Sequence, residues 1–417
     1  MKLYILVFAL FLALNLSAGA QTYKTTVLPK LDGLSVNGIA MNSSGEIVGT
    51  VPLPGGGFRT FLWSKQAGMV DITVPTNRLG PTSINSAGVI AGGELVGSNN
   101  HAFIWSQSGG LQDLGTLGGS SSQASSINDQ GQVAGCSDTA NSQKNIQNAF
   151  FWDPTLGMQD LGDATGTAGC AAFTAIGNGG QVVGTLPNND VFLWTSGQGV
   201  EDLLFAGFPR GISDSNAIVG TQCCGHSNAF VWTRSSGLQD LGVLPGFDFS
   251  VGFAINTGCQ VVGTLVAAQP GSEHGFIWSP GTGMQILPPT VPKWEAQAIN
   301  NAGQIMLVRG AGTRLLTPLM KVVLTSSENP AHAGQDVTFT ATVTSVQGPP
   351  PDGENITFKD GSKVLGTAPM FSGSAILTTS SLKLGTHTIT ANYVGDVNYF
   401  SSKSVVLKQI INPKVYR

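Results

Sequence analysis

Past residue 20 the apolar residues of this chain never hold a 3.6-residue period over three turns; they alternate with polar ones or come in short runs bounded by Gly, Asn, Asp and Ser. One such phrase recurs: a small residue, an apolar one, usually Asn, a tight turn, then a Val/Ile-rich stretch ending mostly in Gly. The copies run from Ala40-Met41-Asn42 to Gly49, Ser83-Ile84-Asn85 to Gly92, Ser126-Ile127-Asn128 to Gly135, and Ala175-Ile176 to Gly184. They continue from Gly211-Ile212 to Gly220, Ala254-Ile255-Asn256 to Gly263, and Ala298-Ile299-Asn300 to Leu307. Positions 41, 84, 127, 176, 212, 255 and 299 mark the apolar residue, so the steps are 43, 43, 49, 36, 43 and 44. A period near 43 predicts a repeat architecture.

A second phrase follows in each unit: Phe61-Leu62-Trp63, Phe103-Ile104-Trp105, Phe150-Phe151-Trp152, Phe192-Leu193-Trp194, Phe230-Val231-Trp232 and Phe276-Ile277-Trp278, decaying to Leu315-Leu316-Thr317. A third, as in Gly110-Leu111-Gln112-Asp113-Leu114-Gly115, places Asp71, Asp160, Asp202 and Asp240 at the position of Asp113, with Ile286 in the sixth unit. Four strands of about six residues and four turns of four or five fill roughly 43 residues, the length of a four-stranded propeller blade. Gly45, Gly88, Gly131, Gly180 and Gly303 supply positive φ in the first hairpin turn; Asn216 and Cys259 stand there in the fifth and sixth units. A solenoid of the same period would want polar caps. Here the last unit stops at Thr317-Pro318-Leu319 without its final phrase, and Val27 to Gly33 near the N-terminus lines up with Asp113 to Gly119. A chain that begins with the strand its last repeat lacks can close into a ring without edges. The expectation is an all-β protein with a seven-bladed β-propeller over residues 21–319, its N-terminal strand completing the last blade.

The phrase His101-Ala102-Phe103-Ile104-Trp105, with Asp113-Leu114-Gly115 and Ile127-Asn128-Asp129-Gln130-Gly131, resembles the bacterial extracellular HAF-repeat family over about 300 residues. The resemblance implies a secreted, propeller-like protein and no established activity. Departures are Arg59, Asn148, Asp190 and Asn228 in place of the His, and Leu316 in place of a Trp.

Beyond Leu319 strict alternation takes over in Asp336 to Val343. Ile356-Thr357-Phe358, a hairpin at Asp360-Gly361, Val364-Leu365, Ala375-Ile376-Leu377, Thr386 to Tyr393 and Ser404 to Leu407 complete a β-sandwich over residues 320–417. The run from Gly385 to Asp396 is similar to bacterial Ig-like repeats of secreted proteins, which implies a spacer or adhesion module.

Lys2, the apolar run Leu3 to Leu16 and Ala18-Gly19-Ala20 read as a signal peptide over residues 1–20, so the mature chain is expected to start at Gln21, outside the cell and without a membrane anchor, with cell-surface association open to it. Charged residues are 11% of the chain and the net charge is −4, which argues against nucleic acid as a partner. Five Cys in an exported chain suggest disulfides with one thiol left over. Cys136 with Cys170, and Cys259 with Cys223 or Cys224, are the expected pairs.

A residue that recurs in every blade builds blades, so the repeated Trp, Asp and Asn are read as structural. His101 and His274 occupy a position held elsewhere by Arg, Asn or Asp, the behaviour of a solvated polar site, and no metal is expected. Function should sit where the blades differ, in the loops entering each first strand. These carry Arg78, Arg210, Phe247 with Asp248 and Phe249, and Lys293 with Trp294 and Glu295. Aromatics beside isolated charges suit a glycan or a protein partner. No P-loop, Gly-x-Ser-x-Gly or His-Glu-x-x-His motif occurs, and no catalytic residue or cofactor is expected. The expected role is a monomeric, non-enzymatic binding or scaffold protein. The alternative is a polysaccharide hydrolase or lyase, for which Glu273 and Glu295 would have to meet.

Overall fold

The computed structural model describes residues 23–72, 80–140, 147–162, 175–223, 227–268, 272–287, 293–345, 348–396 and 398–414. The expected signal peptide, Arg78, Cys170 and Cys224 lie outside them. Every regular element among the described residues is a β-strand.

The first repeat forms an antiparallel sheet of Asn37–Met41, Ile47–Pro52, Phe58–Ser64 and Gly68–Asp71 in that spatial order. The same meander follows in Gly80–Ile84 to Gly110–Asp113, in Gly118–Ile127 to Gly157–Asp160, and in Phe249–Ile255 to Gly283–Ile286. In between, the 14-residue strand Gly199–Ile212 ends the fourth repeat and opens the fifth, so those two sheets are continuous. The last sheet, Glu295–Ile299, Ile305–Arg309 and Gly312–Pro318, takes its fourth strand from the N-terminus: Tyr23–Val27 pairs antiparallel with Gly312–Pro318, Tyr23 opposite Pro318 and Val27 opposite Arg314. This strand ends where the aligned phrase begins.

Each sheet packs on the next through its own small core, so the apolar second strands are covered on both faces. Val261 to Leu265 is wholly buried. Phe61, Phe103, Phe150, Phe192, Phe230 and Phe276 are each at most 1% exposed, worth about 1.5–3 kcal/mol apiece in burial. In six repeats the third residue of the second strand is a Gly directly opposite this Phe, as Gly49 opposite Phe61 and Gly263 opposite Phe276. A Cβ at either Gly would fall into the ring and the neighbouring strand's carbonyl oxygen, which is why the position is glycine. The ring closes with shared packing too. Met306, Val308 and Leu315 of the last repeat join Val36, Ile47 and Phe61 of the first in one cluster, and the Gly38 N–H donates to Thr313 Oγ1 at 2.7 Å.

The C-terminal module is a two-layer sandwich. Lys321–Ser326, Val337–Thr344 and Ser374–Thr379 form one sheet. Ala331–His332, Leu407–Asn412, Gly385–Tyr393, Asn355–Asp360 and Lys363–Pro369 form the other. The last strand lies later than the Ser404 to Leu407 read from the sequence. Val405 and Val406 are 83% and 54% exposed, while Gln409 is fully buried, accepting from Ser326 Oγ at 2.7 Å and donating to the Glu328 carbonyl at 2.8 Å. A buried glutamine in the inward register hid the alternation. The module packs against the ring: Ala302, in a turn of the last repeat, is part of its core with Met320 and Phe339. Lys65 Nζ donates to the Asp396 carbonyl at 3.1 Å, and the Lys24 and Lys65 ammoniums lie over the Phe400 ring at 4.2 and 4.5 Å.

Cys136 is disulfide-bonded. The expected bond from Cys259 to Cys223 or Cys224 is not formed: Cys259 is a free thiol. It sits in a first hairpin turn at φ 55°, whereas Cys223 follows Ile218–Gln222, at the opposite end of a second strand. A five-residue strand spans about 17 Å, against a Cα separation of about 7 Å that a disulfide tolerates.

Candidate functional site

The ring has two faces. The turns joining first and second strands gather at one mouth of the central channel, and the loops entering the first strands open on the other.

At the turn mouth the repeated Asn forms a belt. Asn42 Nδ2 donates to the Asn85 carbonyl (2.9 Å), Asn85 to Asn128 (3.0 Å), and Asn128 to Gly177 (3.1 Å). Asn256 donates to Asn300 (3.3 Å), and Asn300 to Ser43 (3.2 Å), across the closure. Each Oδ1 also accepts N–H groups of its own turn, as Asn85 does from Ala87 and Val89. The belt is interrupted where Gly177 and Ser213 replace Asn. There Asn178 Nδ2 bridges Asp129 (3.1 Å) and Asp214 (2.7 Å) instead. Ile84, Ile127, Ile212 and Ile255 floor this mouth, a cavity of ≈ 190 Å³. Among the described residues no group of three His, Cys, Asp or Glu is arranged to hold a metal.

The repeated Asp is occupied as well. In four repeats it accepts from the side chain twelve positions earlier, near the start of the third strand: Arg59 to Asp71 (2.9 Å), His101 with Asp113 (2.9 Å), Asn148 to Asp160 (2.9 Å) and Asn228 to Asp240 (3.1 Å). Its other oxygen caps a turn, as Asp113 does for the Gly115 N–H at 2.8 Å. In those four repeats the variable position that looks solvated in the sequence is thus the donor half of a pair. In the fourth repeat that earlier position is Asp190, and Asp202 accepts from the Leu204 N–H at 2.8 Å. In the sixth repeat Ile286 takes the place of the Asp, and His274 lies 2.9 Å from the Ser272 carbonyl and meets the Phe247 ring edge-on at 5.5 Å.

On the loop face a cavity of ≈ 570 Å³ opens at the seam between last and first repeats. Glu273 reaches it from the sixth repeat, Lys293, Glu295 and Arg309 from the seventh, and Asn37 and Ile39 from the first. Gln297 Nε2 donates to Glu295 Oε2 at 3.0 Å. Lys293 stands at φ 62°, a left-handed conformation uncommon for a long side chain. The next residue is held down: the Arg314 guanidinium lies 4.5 Å from the Trp294 ring centroid, and a Cβ on Gly312 would come within 3.2 Å of that ring.

Of the residues singled out from the sequence, Lys293 and Glu295 line this cavity, and Glu273 joins them. Trp294 backs it. Phe247 and Phe249 stand at the loop-face end of the sixth repeat, with Phe247 packed against the core between the fifth and sixth repeats, and Phe249 37% exposed. Arg210 is the bulged residue between Pro209 and Gly211, its guanidinium 5.1 Å from the Phe253 ring centroid. Neither the two phenylalanines nor Arg210 reaches the seam cavity. Arg309, Asn37 and Gln297 were missed. Arg309 closes a hairpin in the one repeat whose phrases have decayed, with Leu307 for Gly and Leu316 for Trp, and that decay was the available signal.

Residues 324–412 match the family model described as bacterial Ig-like domain (group 3). The C-terminal module is a bacterial Ig-like domain of that group. No curated protein matches the chain. Among solved structures the chain is similar to virginiamycin B lyase from Staphylococcus aureus, with 12% identity over 72% of this chain and 100% of that one and a TM-score of 0.51. It is also similar to the WD40 β-propeller domain of Doa1 (13% identity, 71% of this chain, 97% of that one, TM-score 0.47). A third is the extracellular domain of a hybrid two-component system from B. thetaiotaomicron (12%, 94% and 59%, TM-score 0.47). At such identities the likeness speaks to fold alone: the ring preceding the Ig-like domain is propeller-type.

Proposed function

We propose that this chain is an exported, monomeric, non-enzymatic binding protein: a seven-bladed propeller of the HAF-repeat type, closed by its N-terminal strand, that presents its loop face to an extracellular glycan or protein partner. The Ig-like domain serves as spacer or adhesion module. One observation carries this reading. In a chain with 11% charged residues, four of the ten residues lining the seam cavity are charged, two of each sign. The recurring polar residues, by contrast, bond to one another within the ring. The Ig-like domain packs beside the turn face, through Ala302, and so leaves the loop face open. The test is a screen of the mature chain, Gln21 to Arg417, against a glycan array and a peptide panel. A ligand should emerge whose affinity drops at least about tenfold, roughly 1.4 kcal/mol, in Arg309→Ala. Binding that ignores this substitution places the site elsewhere.

One observation favours the enzyme alternative: Glu273 and Glu295, from different repeats, share the cavity, as the paired carboxylates of a glycosidase must. New reducing ends or unsaturated products from a polysaccharide panel, abolished in Glu273→Gln and in Glu295→Gln, would establish it over simple binding.

A further inference from the structure

We propose that the seam cavity takes a short zwitterionic ligand, an amino acid or short peptide with both ends charged, and discriminates against neutral sugars; this rests on reading that cavity as the ligand site. The argument begins with how charge is handled elsewhere. Arg59 is held between Asp32 and Asp71 at 2.8 and 2.9 Å, Arg234 pairs with Glu201 at 2.5 Å, and His387 with Asp360 at 2.6 Å. In the seam cavity Lys293, Glu295 and Arg309 stand together, yet among the described residues none of the three enters an ion pair. Charges of both signs are gathered without being spent on each other.

They are also held in place. Glu295 is oriented by the Gln297 amide, and the Lys293 backbone is fixed in its left-handed turn by the Trp294 ring clamped against Arg314 and Gly312. Such strain at an exposed lysine fits a site where a side chain is pre-positioned. A ligand ammonium matches the Glu295 and Glu273 carboxylates. A ligand carboxylate matches Lys293 and the planar, two-pronged donor of Arg309. A ligand carrying one sign would bring a like charge against half the cavity. A neutral sugar would desolvate Lys293, Glu295 and Arg309 without compensating the charge of any of them.

The experiment is calorimetric titration of the mature chain with triglycine, with N-acetyl-triglycine amide, which has the same backbone and no charged ends, and with cellotriose. Triglycine should bind at least about tenfold tighter than its capped form. That margin should shrink in both Glu295→Gln and Arg309→Gln, and in 0.5 M NaCl, which screens exposed charges within about 4–5 Å. Glu295→Gln keeps the shape of the side chain, and unchanged melting of the variant would show that the fold is intact. Equal binding of the two peptides, or cellotriose binding that the same substitutions weaken, would overturn the zwitterion while leaving the cavity as the site. If none of the three probes binds, the zwitterion is overturned, and a ligand from the wider screen that is lost in Arg309→Ala would still support the cavity.

Discussion

Asn85 shows how much one residue can hold. Its amide nitrogen bonds the next repeat, and its amide oxygen bonds two N–H groups of its own turn. Where Gly177 takes the equivalent place, the consequence is visible four residues on: Gln181 Oε1 is buried without a partner, whereas Gln132, Gln260 and Gln304 each accept from their Asn at 2.7–2.9 Å. A Cβ on Gly177 would meet Ile212 Cγ2 at 3.4 Å, an ordinary contact. Gly177→Asn should therefore restore the latch. One gained hydrogen bond of about 1 kcal/mol, with less chain entropy to lose, predicts a propeller melting midpoint raised by about 2 °C or more in a thermal scan. A lowered midpoint would mean that the turn cannot accept the side chain. That the recurring Asn and Asp build the ring was legible in their recurrence. The donor that four of the Asp residues meet was not, because Arg, His and Asn share no chemistry along the chain except that each can donate across 12 residues, and Asp190 stands in their place before Asp202.

Strands and turns were the most legible level, since burial on alternate faces and positive φ at turns leave direct marks on residue choice. They misled where a polar residue faces inward, as Gln409 does. The antiparallel pairing of Asn355–Asp360 with Gly385–Tyr393 carries a second such case. His387 lies 2.6 Å from the Asp360 carboxylate through Nδ1 and 2.8 Å from the Lys383 carbonyl through Nε2, so both ring nitrogens face acceptors and the imidazolium satisfies both. Burial works against that charge, but the carbonyl and the carboxylate outweigh it and raise the pKa above 6.5. For Asp360 burial likewise opposes the charged form, and His387 with the Thr388 N–H prevails, lowering it below 3.8. A raised His pKa contributes stability that is whole below 6.5 and lost as pH rises through the folded value. A lowered Asp pKa contributes stability that is present above 3.8 and lost as pH falls through its folded value. The Ig-like domain should therefore melt highest between about pH 4 and 6.5, and the decline above that window should flatten in His387→Gln. An unchanged alkaline slope in the variant would remove His387 as its cause.

At the scale of the whole molecule, the two modules meet through Phe400, set between Lys24 of the closing strand and Lys65 of the first repeat. Cation–π contacts of this kind are worth about 0.5–2 kcal/mol each, enough to bias a small interface. Phe400→Ser should loosen the Ig-like domain from the ring, seen as a larger radius of gyration in solution scattering and faster proteolysis near Leu319-Met320, with both modules still folded. A scattering profile identical to the parent's would show that the Ala302 packing alone holds the modules together.

The chain's own pattern carried the period, the all-β character, the strand missing at one end and present at the other, and the sandwich that follows. All of these follow from local rules, because periodicity, turn chemistry and burial act on residues a few positions apart. What the pattern left open was which charges would meet. Glu273 and Arg309 are 36 positions apart, and Asn37 lies at the other end of the chain, yet ring closure brings them to one cavity. Only the tertiary fold decides that, since closing a ring joins the two ends of the repeat array, and nothing in the spacing along a chain records which loops will share a face.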